Sequence, residues 1–155
     1  MNVFNQFVQS DPLAASETLS GKRPILDVAK AVIYKRYRRI AKKGRRINRS
    51  TPDEKLHELR IDCKKLRYLL EFFSSLFPKK QMKKLIKQLQ DNLGEFNDLS
   101  IQQDFLIDYL NSIKPQTAQA VRLSAAIGGL IVRLATAHQQ VRNQFLSAFE
   151  TFNTP

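Results

Sequence analysis

Leu56–Phe73 reads LHELRIDCKKLRYLLEFF, and its apolar positions decide the class of fold. Leu56, Leu59, Cys63, Leu66 and Leu70 return at alternating steps of three and four residues. That is the period of one face of an α-helix, not the strict alternation of a strand. Just upstream, Thr51 with Glu54 three residues on has the form of a capping box, so the helix is expected to start after Ser50-Thr51-Pro52. Pro78 is the expected stop.

The same period extends in both directions. Leu26, Ala29, Ile33, Tyr37, Ile40 and Ile47 predict a helix from about Ile25 to Ile47, with Pro24 at its first turn. Met82, Leu85, Ile86, Leu89 and Leu93 predict another from Lys79 to Leu93. Gly94 then reads as a stop or kink before a segment from Glu95 to Leu110 that carries Leu99, Phe105, Leu106 and Tyr109 and is closed by Pro115. A last helix is expected over Thr117–Phe152. There Ile127, Leu130, Leu134, Val141, Phe145, Ala148 and Phe149 keep a spacing near 3.5, and Gly128-Gly129 is a place to bend. The expectation is an all-α fold, an antiparallel bundle of long helices over residues 22–155. Residues 1–21 read as a flanking segment or linker to which no function attaches; Phe4, Phe7 and Val8 suit a short amphipathic helix.

Charge separates the halves of the chain. Lys and Arg number 26 against 14 acids, a formal net charge of +12. Lys22 to Leu70 alone holds 17 bases and five acids, so the whole excess lies on the first two predicted helices. Such a field points to a polyanionic partner or an anionic surface. From Lys30 to Arg49 there is no acid at all, whereas a merely solvated helix intersperses Glu with Lys. At 100° per residue, Lys35, Arg38, Arg39, Lys42, Arg45, Arg46 and Arg49 fall within about 120° of arc, opposite Ile33, Tyr37, Ile40 and Ile47. On the second helix His57, Arg60, Lys64 and Arg67 fall within about 80°, flanking the apolar stripe and so facing a groove between helices. Lys80, Lys83, Lys84 and Lys87 repeat the theme.

His57 by itself reads as a histidine at the edge of the core; its alignment with three bases recasts it as an anion contact whose hold tightens as pH falls through its titration. Asp98 reads equally as a helix cap or as a carboxylate orienting a base. Cys63 sits in the apolar stripe as packing. Tyr34, Tyr37 and Tyr68 interleave with bases, as in single-strand binders, but Tyr37 falls on the core face. With one cysteine and two histidines a metal site is not expected, nor is a cofactor. No glycine-rich phosphate loop and no nucleophile with a base are evident, so binding without catalysis is the expectation. MNVFNQFVQS lacks a basic leader, and nowhere do eighteen apolar residues run together, so a cytoplasmic protein that does not span a membrane is expected.

Leu56–Phe73 also resembles the signature of the conserved histidine α-helical domain (CHAD) family, roughly L-H-x-L-R-I-x-x-K-R-L-R-Y-x-x-E-F, and LQDNLGEFNDLS at Leu89–Ser100 resembles its later L-x-x-L-G-x-x-x-D-L element. The resemblance runs from about residue 25 and is to the family's second half. It implies a helical bundle that binds inorganic polyphosphate, in some members at polyphosphate granules. Position by position it assigns contacts to His57, Arg60, Lys64 and Arg67, with Lys65 where the family has Arg, a change that keeps the charge and loses the guanidinium fork. Lys35, Arg38, Arg39, Lys42, Arg45 and Arg46 then form an outer wall. Since the family domain has two related halves, the resemblance implies either a longer chain or a homodimer that supplies the second half. RNA or single-stranded DNA binding, and docking of an acidic protein on the basic face, are the alternatives.

Overall fold

A computed structural model describes residues 24–75, 80–114 and 116–153. It contains four helices: α1 (Ile25–Gly44), α2 (Asp53–Phe72), α3 (Lys80–Ser112) and α4 (Ala118–Asn153). Among the described residues there is no strand, and the fold is an all-α bundle. The expected flanking segment over 1–21, the side chain of Lys80 and the two expected stops Pro78 and Pro115 lie outside what is described.

α2 starts after Pro52 as expected, and three other expectations are corrected. α1 stops at Gly44 rather than Ile47, because the chain tightens: the Arg46 N–H reaches the Lys43 carbonyl and the Ile47 N–H the Gly44 carbonyl, each at 3.0 Å. Ile47 is buried all the same, from the turn beyond the helix. Thr51 forms no capping box; the residue before α2 is Pro52, and no side chain caps it. Instead the Thr51 hydroxyl accepts the Asn48 N–H at 2.9 Å, while Asn48 Oδ1 accepts the Ser50 N–H at 2.9 Å, an Asx-type turn that competes for the same groups. Asp53 and Glu54 still place negative charge on the first turn of α2, where the helix dipole favours it.

The third correction is the largest. Gly94 neither stops nor kinks the chain, and α3 runs through it for 33 residues. A side chain at Gly94 would meet nothing within 4 Å, so the glycine is not there for a close approach. Leu93 and Phe96 on either side are buried, and their packing outweighs the ~1 kcal/mol that a helical glycine costs. Gly128 and Gly129 likewise lie inside continuous α4.

Consecutive helices pack as antiparallel neighbours, α1 on α2, α2 on α3 and α3 on α4. Ile33, Ile40, Leu56, Leu59, Leu66, Ile86, Leu89, Phe96 and Phe145 lie at the centre of one core. α1 and α4 close the bundle through rings: Tyr37 lies 5.5 Å from Phe152, and the Phe149 ring lies directly on Gly44. Here glycine is required, since a Cβ at residue 44 would overlap that ring. α1 and α2 have 20 residues each, about 30 Å, whereas α3 and α4 extend to about 50 Å. The two long helices therefore continue as a hairpin beyond the start of α2.

Gly44→Val is expected to lower stability by about 1–3 kcal/mol, because Phe149 must leave its place against α1. A urea titration of both proteins with equal slopes and a reduced midpoint in the variant checks this.

Candidate functional site

α1 buries Ala29, Ile33, Tyr37, Ile40 and Ala41, so its other face must meet solvent. Lys35, Arg38, Arg39, Lys42, Arg45 and Arg46 are all exposed. With Tyr34, Tyr37 and Ala41, five of these cations line an open groove of about 1000 Å³: Lys35, Arg38, Arg39, Lys42 and Arg45. Arg45 donates to Asn153 Oδ1 at 3.3 Å, and Arg38 lies 5.9 Å over the Tyr34 ring. Among the described residues no carboxylate lies within ion-pair distance of Lys35, Arg38, Lys42, Arg45 or Arg46.

Counter-charge arrives on the other edge of α1. Asp62 of α2 is 3% exposed and pairs with Lys43 Nζ at 2.8 Å and Arg39 Nε at 3.2 Å. Glu58 takes Lys55 at 2.8 Å and Lys43 at 3.3 Å. Hydrogen bonds from Lys55 and then Lys43 hold the Glu58 carboxyl below its ordinary range. The acid-free stretch of α1 from Lys30 onward therefore receives part of its neutralisation from the next helix, in addition to the outside counter-charge that the sequence suggested.

α2 turns different flanks to its two neighbours. Asp62 and Glu58 face α1, while His57 faces α3, its Nδ1 2.7 Å from Asn97 Oδ1. An amide oxygen only accepts, so the His57 proton sits on Nδ1 and Nε2 is left for another partner. Arg60, Lys64 and Arg67 share that flank at helical spacing. Arg67 is engaged by Glu71 at 3.2 Å, and both Arg67 and Lys64 lie near the Tyr68 ring, at 5.4 and 5.9 Å. Lys65 is exposed but steps about 100° away from the row. The two rows of bases thus do not line one groove: the Glu58–Asp62 seam lies between them. Of the third row, Lys87 lies 3.8 Å from Asp91. Asp98 is interior to α3 and accepts from Asn97 at 3.5 Å, so it neither caps a helix nor orients a base.

A second polar centre escaped the sequence reading. Arg142, 5% exposed, sends Nη1 to the carbonyls of Asn48, Arg49 and Thr51 and Nη2 to Asp53 Oδ1. His138 Nε2 lies 3.3 Å from Asp53 Oδ2, and its ring stacks on Phe96 at 4.0 Å. Burial pushes the His138 imidazole below its ordinary value, Asp53 opposes this, and Arg142 adds to it. The signal was present: at helical spacing Arg142 falls on the apolar stripe that Val141 and Phe145 define, and Asp62 stands between Leu59 and Leu66 beside Cys63. A charge on an apolar stripe is buried only if paired. Cys63 is buried, which drives its thiol far above the ordinary range and leaves it as packing.

Fold and surface together define a class: a helical module whose first two helices present ordered rows of cations. The family model for the CHAD domain matches residues 3–107, about two thirds of the chain, and this protein belongs to the CHAD domain family. The match takes in α1, α2 and most of α3, with every residue of both rows. The family is linked in general to polyphosphate binding. No curated protein matches the chain.

Because the folded His138 binds its proton less readily than the unfolded one, acidification favours the unfolded chain. Stability is complete above about pH 6.5 and is lost as pH falls through the folded value. Thermal midpoints from pH 7.5 to 5.5 are expected to decline, and His138→Phe, which keeps a ring on Phe96, to flatten that decline.

Proposed function

We propose that the protein binds inorganic polyphosphate along the outer face of α1, with the flank of α2 as a second row, and does not turn it over. The observation that carries this reading is the set Lys35, Arg38, Lys42, Arg45 and Arg46. These five cations are crowded on one face without a carboxylate, although Asp62 and Glu58 serve Arg39 and Lys43 one step away. Like charges at i, i+4 spacing repel and weaken a helix, and a chain of phosphates laid along the face removes that repulsion. Lys35 to Arg46 spans about 16 Å, which suits a repeating linear anion better than a compact one. His57, Arg60, Lys64, Lys65 and Arg67 offer further contacts where the polymer passes over α2; Arg39 and Arg67, each already paired, contribute less.

Family membership supports the same ligand. Binding without turnover is supported by the chemistry within reach, since Cys63 is sealed in the core and His138 is packed against Phe96 and engaged by Asp53. The setting we infer is the cytoplasm, including polyphosphate granules where these form. One observation favours a single-stranded nucleic acid instead: Tyr68 is exposed between Lys64 and Arg67, as a stacking platform would be.

Lys42→Ala with Arg46→Ala is expected to weaken binding of labelled polyphosphate about tenfold at low salt, and to make the log Kd against log salt slope shallower by roughly one to two, with helicity unchanged. Tyr68→Ala is expected to leave polyphosphate affinity intact, and excess single-stranded RNA to compete poorly. Equal competition by RNA together with a loss in Tyr68→Ala would reverse the assignment of ligand. Release of orthophosphate on adding magnesium would overturn the absence of turnover.

A further inference from the structure

The protein is apolar where it has nothing to pack against. Among the described residues, only α3 and α4 continue past the level of the His57–Asn97 contact, and on this hairpin Phe105 is 67% and Val132 65% exposed, with Tyr109, Val121, Leu123 and Leu130 exposed as well. Helical steps put Leu123 and Leu130 on one flank of α4 and Val121 and Val132 on the opposite one. A helix apolar on both flanks belongs in a core or a membrane. By length and composition α4 could cross a bilayer: it contains an eighteen-residue window of mean hydropathy 1.5, of which only 6% is buried.

We propose that this hairpin docks against the same hairpin of a second copy of the chain, the two forming a four-helix bundle about a two-fold axis. Charge identifies the partner. Beyond Asn97, the charged side chains of α3 are all acidic, Asp98, Asp104 and Asp108, whereas those of α4 before His138 are both basic, Arg122 and Arg133. A two-fold that lays α3 of one copy on α4 of the other sets acids against bases twice over, the self-complementarity an isologous interface requires. Phe105, Tyr109, Leu123 and Leu130 then fill the seam between the copies.

A bilayer fits the hairpin less well, because α3 carries Gln102, Gln103, Asp104 and Asp108 alongside the apolar part of α4, and carboxylates within lipid are strongly unfavourable. Contact between hairpins needs no anion on α1 and does not rest on the polyphosphate reading.

Light scattering of the full chain, without polyphosphate, reads the result directly. A particle of about 36 kDa, twice the chain mass of 17.9 kDa, is expected. Phe105→Glu and Leu130→Glu, both at exposed positions, are expected to raise the dissociation constant about tenfold or more with unchanged circular dichroism. Asp108→Arg is expected to weaken the dimer and Arg122→Asp, added to it, to restore it. A monomer at the highest soluble concentration overturns the proposal, as does a dimer indifferent to both glutamate variants. So does a monomer that sediments with phosphatidylcholine and phosphatidylglycerol vesicles, which assigns the hairpin to a membrane surface.

Discussion

The buried guanidinium of Arg142 holds the corner on which the rest of the site depends. Residues 45–52 must turn the chain from α1 into α2, and a turn packed against a helix leaves carbonyls in need of donors. Arg142 supplies them, reaching three carbonyls with Nη1 and Asp53 with Nη2, while its plane lies 5.3 Å from the Phe96 ring. A buried charge is tolerable only when its hydrogen-bonding capacity is used in this way; left unpaired it would cost several kcal/mol. The fork therefore ties α4, the corner and the first turn of α2 into one unit. α1 is fixed by it at its C-terminal end, where Phe149 also packs on Gly44.

That anchorage explains how a helix with no acid after Asp27 survives. Seen alone, α1 repels itself at every i, i+4 pair of bases, each a loss of a few tenths of a kcal/mol. Burial of Ile33, Tyr37 and Ile40 outweighs the sum, at about 1.5–3 kcal/mol for each large side chain. Asp62 adds a counter-charge at the one edge where it is shielded from water, and there it counts for more than a surface pair does. Internal acids are thus spent on the inner edge of α1, and the outer edge keeps its field.

How much of this was legible in the sequence follows from what each residue depends on. Leu56, Leu59, Cys63, Leu66 and Leu70 announced α2 because helical period is a local property, and all five are buried. Gly94 misled because propensity is also local, whereas continuity of α3 is decided by Leu93 and Phe96 in a core that no single segment reveals. Thr51 and Glu54 had the spacing of a capping box, but Asn48 competed for the same turn. A helical wheel needs no partner, so the rows of bases follow it as far as each helix runs, while Arg45, Arg46 and Arg49 lie past the end of α1. Which neighbour each flank faces could not be traced, because that depends on how α2 sits between α1 and α3. The Glu58–Asp62 seam that parts the two rows is a tertiary fact, written in the sequence only as a carboxylate on an apolar stripe.

The distribution of charge along the chain also bears on how copies can meet. With the entire excess of +12 between Lys22 and Leu70, two molecules approaching by their α1–α2 ends would repel strongly at low salt. The hairpin formed by the far ends of α3 and α4 is nearly neutral, and it projects away from that field. The pairing proposed above joins copies at this end and leaves the cationic face of each open to solvent. A basic half is therefore separated from an apolar half: the short helices carry the charge, and the far ends of the long ones carry the exposed apolar surface.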